Sequence, residues 1–307
     1  MDAVKSIKLE NNAESSVTKK RKWKRHLTPF GFLSPVLILF SLFLFFPVVF
    51  AFYMSFQKWG LIGSPEFVGI DNYIRLFKDQ LFWTSVKNTL IFTISVPFKV
   101  AIALVIAVFL NQKIRGLAFF RAAFFFPVVL SMVVVGLVWQ WMFSPSYGFI
   151  NFVLGKLGFP LQNMLVDSKQ AMIVLIIVSI WKGLGNNVLL FLAGLQSIPT
   201  SLYEAADVDG ANTWQKFWHI TVKLLKPTTL FVLIITLIGS FKIFDLAYVI
   251  TGGGPGTSTM VLVHYIYQEA FQRFDMGYAS AAAYVFFIIL FILTLVQMRI
   301  FKSDSEQ

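Results

Sequence analysis

The sequence predicts an all-α integral membrane protein with six transmembrane helices, and three observations predict it. The first is composition: of 307 residues 57% are hydrophobic and only 13% charged, with a mean hydropathy of +0.73. Soluble domains carry about a quarter charged residues, and one core could not hide this much apolar surface. The second is a set of six apolar runs, each long enough for a hydrocarbon layer that takes about 20 helical residues to cross. The third is their texture. Leu, Ile, Val and Phe follow one another without the alternation of a barrel strand, so the backbone in lipid is satisfied within helices.

The tail at 1–28 is polar and basic, with Lys5, Lys8, Lys19, Lys20, Arg21, Lys22, Lys24 and Arg25. Its "KKRKWKR" run reads as a juxtamembrane topology signal rather than a nucleic-acid patch. The membrane domain spans 29–302, with a short tail at 303–307. The spans fall near Phe30–Phe56, Asn88–Leu110, Phe119–Phe143, Ala171–Leu195, Thr228–Ile250 and Ala279–Ile300. The first run is too long for a signal-peptide core and no cleavage pattern follows it. Lys113, Arg115 and Arg121 lie between or beside the second and third spans, whereas the alternate loops hold fewer cations. Positive residues stay cytoplasmic, which puts both termini and the loop at 198–227 inside, and the loops at 57–87, 144–170 and 251–278 outside. Trp59, Trp83, Trp139, Trp141 and Tyr248 then form an outer aromatic belt. With no cysteine, disulfides and thiolate metal sites are excluded.

Two outer loops read as ordered. "PEFVGIDNYIRLFKDQLFW" carries apolar and aromatic residues at helical spacing and would lie along the surface. "TGGGPGTSTMVLVHYIYQEAF" opens on a Gly-rich turn and continues with helical spacing through Val263, Ile266, Tyr267 and Phe271. "GGGPG" is no phosphate loop: it lacks the Lys-Ser/Thr ending and follows a membrane helix rather than a strand. No Walker-type motif, catalytic constellation or metal-binding cluster occurs, so the chain is expected neither to hydrolyse ATP nor to carry a cofactor.

"EAADVDGANTWQKFWHITVKLLKP", Glu204 to Pro227, is a polar stretch between two apolar runs on the cytoplasmic side. After Pro199, Thr200 and Ser201 are candidate N-caps, and Glu204 three residues beyond Ser201 predicts a capping box. The short helix presents small residues and ends at Gly210. A second, amphipathic segment runs from Thr213 to Leu225 through Trp214, Phe217, Trp218 and Ile220. Two readings stay open on physical grounds. The segments lie flat at the interface, or they form a docking knuckle whose small residues allow close approach while Glu204 offers a charge.

This stretch resembles the EAA loop of ABC importer permeases, in which Glu-Ala-Ala is followed by three residues, Gly, nine residues and Ile-x-Leu-Pro. Glu204, Ala205, Ala206, Gly210 and Ile220 fit, while Val222 and Lys223 stand where Leu-Pro is usual and Pro227 supplies a proline four residues later. "LSPVLILFSLFLFFPVVFAFYMSF", "FVGIDNYIRLFKD", "FDLAYVITGGGP" and "GYASAAAY" extend the likeness over nearly all of the chain after Thr28. They are similar to permease subunits of binding-protein-dependent carbohydrate importers, on the MalF, UgpA and LacF side of the usual pair. The resemblance implies a type I importer permease fold in a prokaryotic cytoplasmic membrane. It also implies a second homologous permease, two ATP-binding cassette subunits that bind ATP and Mg, an external solute-binding protein and a sugar substrate. Glu204, Ala205, Ala206, Asp209 and Gly210 would contact the ATPase subunit.

Polar residues inside the spans complete the inventory: Lys99, then Lys182 in "VSIWKGLGNN", then Lys242 and Asp245 in "GSFKIFDLAY". A mid-bilayer charge costs roughly 2.5–3.5 kcal/mol, so each should face protein or water. Lys242 and Asp245, three apart, would pair on one helix face in a structural role. Ser179, Lys182, Gly183 and Asn186 recur along one stripe of the fourth span, and Thr236 and Ser240 along the fifth. These stripes would supply hydrogen bonds to a sugar, with Trp181 or Phe244 as its aromatic wall; packing between helices is the competing reading. Resemblance to the maltose permease implies that the same six positions line a sugar pathway. An ion-coupled secondary transporter using Lys99, Lys182 or Asp245 is the alternative, against which stand the missing inverted repeat and the purposeless docking loop. A membrane enzyme fits poorly, with His26, His219 and His264 scattered.

Overall fold

A computed structural model of the chain describes residues 32–60, 63–112 and 115–303. The basic tail, Lys113 and the last four residues, on which several expectations rest, lie outside these. The chain divides into two compact units, 1–54 and 55–307. The first holds α1 (Phe32–Met54), an apolar 23-residue helix with a π-helical turn at Ser41–Phe45.

The second unit opens with a two-stranded antiparallel ribbon, β1 (Gln57–Lys58) and β2 (Glu66–Phe67), and the helix α2 (Asp71–Lys78). α3 (Gln80–Leu110) follows. It begins eight residues before the expected Asn88, because Asp79 Oδ1 accepts the backbone N–H of Leu81 at 2.7 Å and of Phe82 at 3.4 Å and so caps the helix there. The expected third span is two helices, α4 (Leu117–Val129) and α5 (Met132–Met142), bent by 100°. Leu130 and Ser131 take extended conformations at the break, and Pro127 in the last turn of α4 removes one helical donor. α6 (Phe149–Lys156) is short, and α7 (Ser168–Gln196) is one uninterrupted 29-residue helix capped by Asp167.

The polar loop folds as α8 (Thr200–Val208) and α9 (Thr213–Leu224). α9 meets α10 (Lys226–Phe241) at 65°. The expected fifth span does not continue to Ile250: Lys242 to Phe244 are non-helical, and α11 (Asp245–Thr251) starts afresh with Asp245 in its first turn. α12 (Leu262–Tyr267) passes into a π-helical turn at Gln268–Gln272. α13 (Met276–Ser303) closes the chain. Taken singly, α1, α3, α7 and α13 are each long and apolar enough to cross a membrane; α4 with α5, and α9 with α10, reach that length as bent pairs.

α3 and α7 form the spine. Val96, Val100, Ala103, Ala107 and Leu110 recur at three- and four-residue spacing and pack on Val188, Phe191, Leu192 and Leu195. Small residues let membrane helices approach closely where apolar burial gives no advantage over lipid. α4 crosses α7 at Gly185, where a Cβ would stand 2.6 Å from the carbonyl oxygen of Phe124. At the N-terminal end of α3, Asp79 Oδ2 accepts from the Tyr265 hydroxyl at 2.7 Å and the Tyr278 hydroxyl at 3.0 Å, joining α3, α12 and α13. "GGGPG" is the expected tight turn. Gly252, Gly253 and Gly256 have positive φ, and Asn88 Nδ2 donates to Thr257 O and Met260 O to hold the turn on α3.

Candidate docking knuckle and transport cavity

α8 and α9 form a two-helix knuckle, built differently from the expected one. Pro199 is the N-cap of α8, and no side chain caps it, so the predicted box between Ser201 and Glu204 is absent. Pro199 fixes the entry angle and has no N–H to satisfy. The capping box sits one helix later: Asn212 Oδ1 accepts from Gln215 N at 2.9 Å, and Gln215 Oε1 accepts from Asn212 N at 2.8 Å. Between the helices Gly210 has φ +74°, the left-handed conformation that lets Ala211 N–H reach back to Ala206 O at 2.9 Å and close α8.

On this knuckle Glu204, Ala205, Asp209 and Gly210 are exposed and Ala206 is half-buried. Leu202 and Val208, the latter 89% exposed, are uncovered beside them. Two ties make α8 and α9 one body: Lys216 pairs with Asp207, and the Tyr203 hydroxyl lies 2.9 Å from Thr221 Oγ1. A concavity of about 370 Å³ between the helices is lined by Asp209, Gly210, Gln215, Lys216 and His219, among others. Sequence reasoning missed both ties. Their partners are nine and eighteen residues apart, and only the turn at Gly210 brings them together.

A second hollow, about 290 Å³, opens among α3, the α4–α5 break, α7 and the α10–α11 break. Ser179, Lys182, Gly183 and Asn186 line it, as the stripe on α7 predicted, together with Phe244. Thr236 and Ser240 do not. Thr236 Oγ1 donates to Asn187 Oδ1 at 3.2 Å, and Ser240 is buried with its hydroxyl lacking a partner among the described residues. Gly239 takes the lining position instead. Trp181 also turns away, packing edge-to-face on Trp139 at 5.4 Å, so the aromatic wall is Phe244, stacked on Tyr248 and 4.9 Å from the Tyr267 ring.

The charges are arranged unlike the expectation. Lys242 and Asp245 both line the hollow, but the chain is non-helical between them and no ion pair joins them among the described residues. Lys182 Nζ donates to the carbonyls of Pro127, Val128 and Leu130. These are carbonyls freed where α4 ends, and a cation there also faces the negative end of the helix dipole. Lys182 therefore holds the 100° break in place. Lys99 Nζ donates to Ser179 Oγ at 2.6 Å.

The family described as "Binding-protein-dependent transport system inner membrane component" matches residues 85–304. The arabinooligosaccharides transport system permease protein AraP of Bacillus subtilis (strain 168) is 36% identical over 302 residues, covering 94% of this chain and 96% of that protein. The crystal structure of a bacterial ABC transporter involved in the import of the acidic polysaccharide alginate contains a chain with TM-score 0.82 and 26% identity, covering 94% of this chain and 99% of that one. A chain of the bacterial alginate ABC transporter in complex with its alginate pentasaccharide-bound periplasmic protein aligns with TM-score 0.78 and 26% identity, over 90% and 94% of the two chains.

Proposed function

Since the chain belongs to the family of inner membrane components of binding-protein-dependent transport systems, we propose that it is the permease subunit of an ATP-driven importer. Its substrate is a carbohydrate handed over by an external solute-binding protein. The names of its relatives, an arabinooligosaccharide permease and an alginate importer, support the substrate class. The single observation that carries the reading is the pairing, in one chain, of a rigid uncovered knuckle with a polar hollow bounded by broken helices. A secondary transporter has a use for the second and none for the first.

In this reading the chain crosses the membrane six times, each bent pair forming one span, with both termini cytoplasmic. The basic tail and the cations near Arg115 support that orientation. α8 then faces the cytoplasm, where Glu204, Ala205, Ala206, Asp209 and Gly210 seat in an ATPase subunit. ATP and Mg are bound by two such subunits, and a second homologous permease completes the pathway.

The mechanism follows from the connections. Force applied to α8 passes through the Tyr203–Thr221 contact and the Lys216–Asp207 pair to α9. α9 turns through the 65° bend into α10, whose far end lines the hollow at Gly239 and Lys242. Rotation of the knuckle therefore moves one wall of the hollow relative to α7, where Ser179, Gly183 and Asn186 contact the sugar. Reconstitution into liposomes with the second permease, the ATPase subunits and the binding protein tests this. Uptake should need both ATP hydrolysis and the binding protein. Uptake driven by an ion gradient without ATP would instead establish the secondary-transporter reading.

A further inference from the structure

The hollow contains a lysine whose surroundings within the chain leave it incomplete. Lys99 projects from the middle of α3 with 6% of its surface exposed. An ammonium carries three donors. One reaches Ser179 Oγ at 2.6 Å, and the Phe92 ring stands 5.4 Å from the nitrogen. No carboxylate or carbonyl among the described residues accepts from the other two donors. Lys182, on the same hollow, is the contrast: three carbonyls surround its ammonium, and its role at the α4 break accounts for it.

The remaining charges do not compensate Lys99. Lys242 and Asp245 are both exposed at the rim, so the described lining holds three lysines against one aspartate. A cation buried at mid-membrane is stabilised by an anion or by water. A neutral sugar would offer it hydroxyl acceptors but would leave the excess positive charge in place. A carboxylate offers two oxygens to the two unused donors and removes one charge at the same time.

Resting on the sugar-importer reading, we propose that this hollow takes an acidic sugar, a uronate whose carboxylate pairs with Lys99. The sugar hydroxyls then fall to Asn186 and its ring face to Phe244. Lys99 is thereby the residue that sets specificity for charge, while Lys182 keeps the wall in position.

The test uses the complete importer, this chain with its second permease and ATPase subunits, purified in lipid nanodiscs. Equilibrium binding is measured for galacturonate, glucuronate and mannuronate, each against galactose, glucose or mannose as its neutral counterpart. At least one uronate should bind about tenfold or more tighter than its hexose, since charge-assisted hydrogen bonds are about twice as strong as neutral ones. Lys99→Gln should abolish that preference and Lys99→Arg should retain it. Equal binding of all three uronates and their hexoses overturns the proposal, as does a preference that survives in Lys99→Gln. Should Lys99→Gln fail to assemble, the wild-type comparison decides alone. ATP-driven uptake of neutral sugars without any preference for uronates would overturn this inference and leave the importer reading standing. Absence of ATP-driven uptake for every sugar would overturn the importer reading itself.

Discussion

The hydroxyl of Tyr203 on α8 lies 2.9 Å from Oγ1 of Thr221 on α9, and Thr221 is buried. This contact joins an exposed helix to the one that leads into the membrane. Tyr203→Phe removes the hydroxyl and leaves the ring, at a cost of about 1 kcal/mol. That is too little to unfold the knuckle, which keeps its Lys216–Asp207 pair and the Asn212–Gln215 box. The ATPase subunits should therefore still co-purify, while sugar imported per ATP hydrolysed falls. An unchanged ratio in reconstituted vesicles would show that motion does not pass through this contact.

Glu204 is exposed on the same knuckle and no ion pair holds it among the described residues. Its loss should cost the fold little. If this face docks by pairing Glu204 with a cation of the ATPase subunit, reversing its charge sets like charges against each other. Glu204→Lys is expected to insert and fold normally but to lose the ATPase subunits on purification. Normal co-purification with normal uptake would remove the docking role from this face.

Elements governed by local rules were legible in the sequence, and those governed by distant partners were not. The apolar runs announced the long helices because in lipid the backbone has no other way to satisfy itself. "GGGPG" announced a turn because glycine reaches positive φ freely, as Gly252, Gly253 and Gly256 do here. The stripe Ser179, Lys182, Gly183 and Asn186 was legible because an uninterrupted 29-residue helix preserves three- and four-residue spacing. The same spacing argument failed on the fifth span. The chain leaves the helix after Phe241, so Lys242 and Asp245 lose their common face; within α10 itself it is the face carrying Gly239, not Ser240, that borders the hollow. The 100° break in the third span was equally hidden, because its stabilising cation, Lys182, lies more than fifty residues further along the chain. Pro127 alone is a weak signal, since membrane helices tolerate proline.

Asp79, just outside the start of α3, joins three helices through its carboxylate. Burial raises its affinity for protons, but the hydrogen bonds from Tyr265, the Leu81 amide, Tyr278 and the Phe82 amide outweigh this and hold the carboxyl below its ordinary value. Its folded-state titration therefore lies below its unfolded one, near pH 3.9. The stabilisation is complete above that value and disappears as the pH falls through the folded one. Asp79→Asn keeps an acceptor but cannot ionise, and should lower Tm by a few degrees at pH 6, consistent with about 1 kcal/mol. The gap in Tm between wild type and variant should shrink below about pH 4. A gap independent of pH would mean that the ionised carboxylate adds nothing to this junction.

Asn186 and Ser240 separate the cavity from the packing around it. Asn186 is exposed on α7 and borders the hollow, whereas Ser240 is buried on α10 outside its lining. If Asn186 holds a sugar hydroxyl as proposed, replacing it by Leu takes a donor and an acceptor from the sugar without crowding a neighbour. A sugar hydroxyl deprived of its partner loses about 1–3 kcal/mol, a five- to hundredfold fall in affinity. Uptake should fall accordingly while the complex still assembles. Leu at Ser240 adds two side-chain heavy atoms to a closed site, and overpacking of this kind costs about 1–3 kcal/mol. Its effect should be on the yield and Tm of the assembled complex. Both quantities are measured on the same preparations, by size-exclusion recovery and by ATP-driven uptake per assembled complex. Should Asn186→Leu block assembly and Ser240→Leu selectively block uptake, the hollow among α3, α7 and the α10–α11 break would not be the sugar pathway.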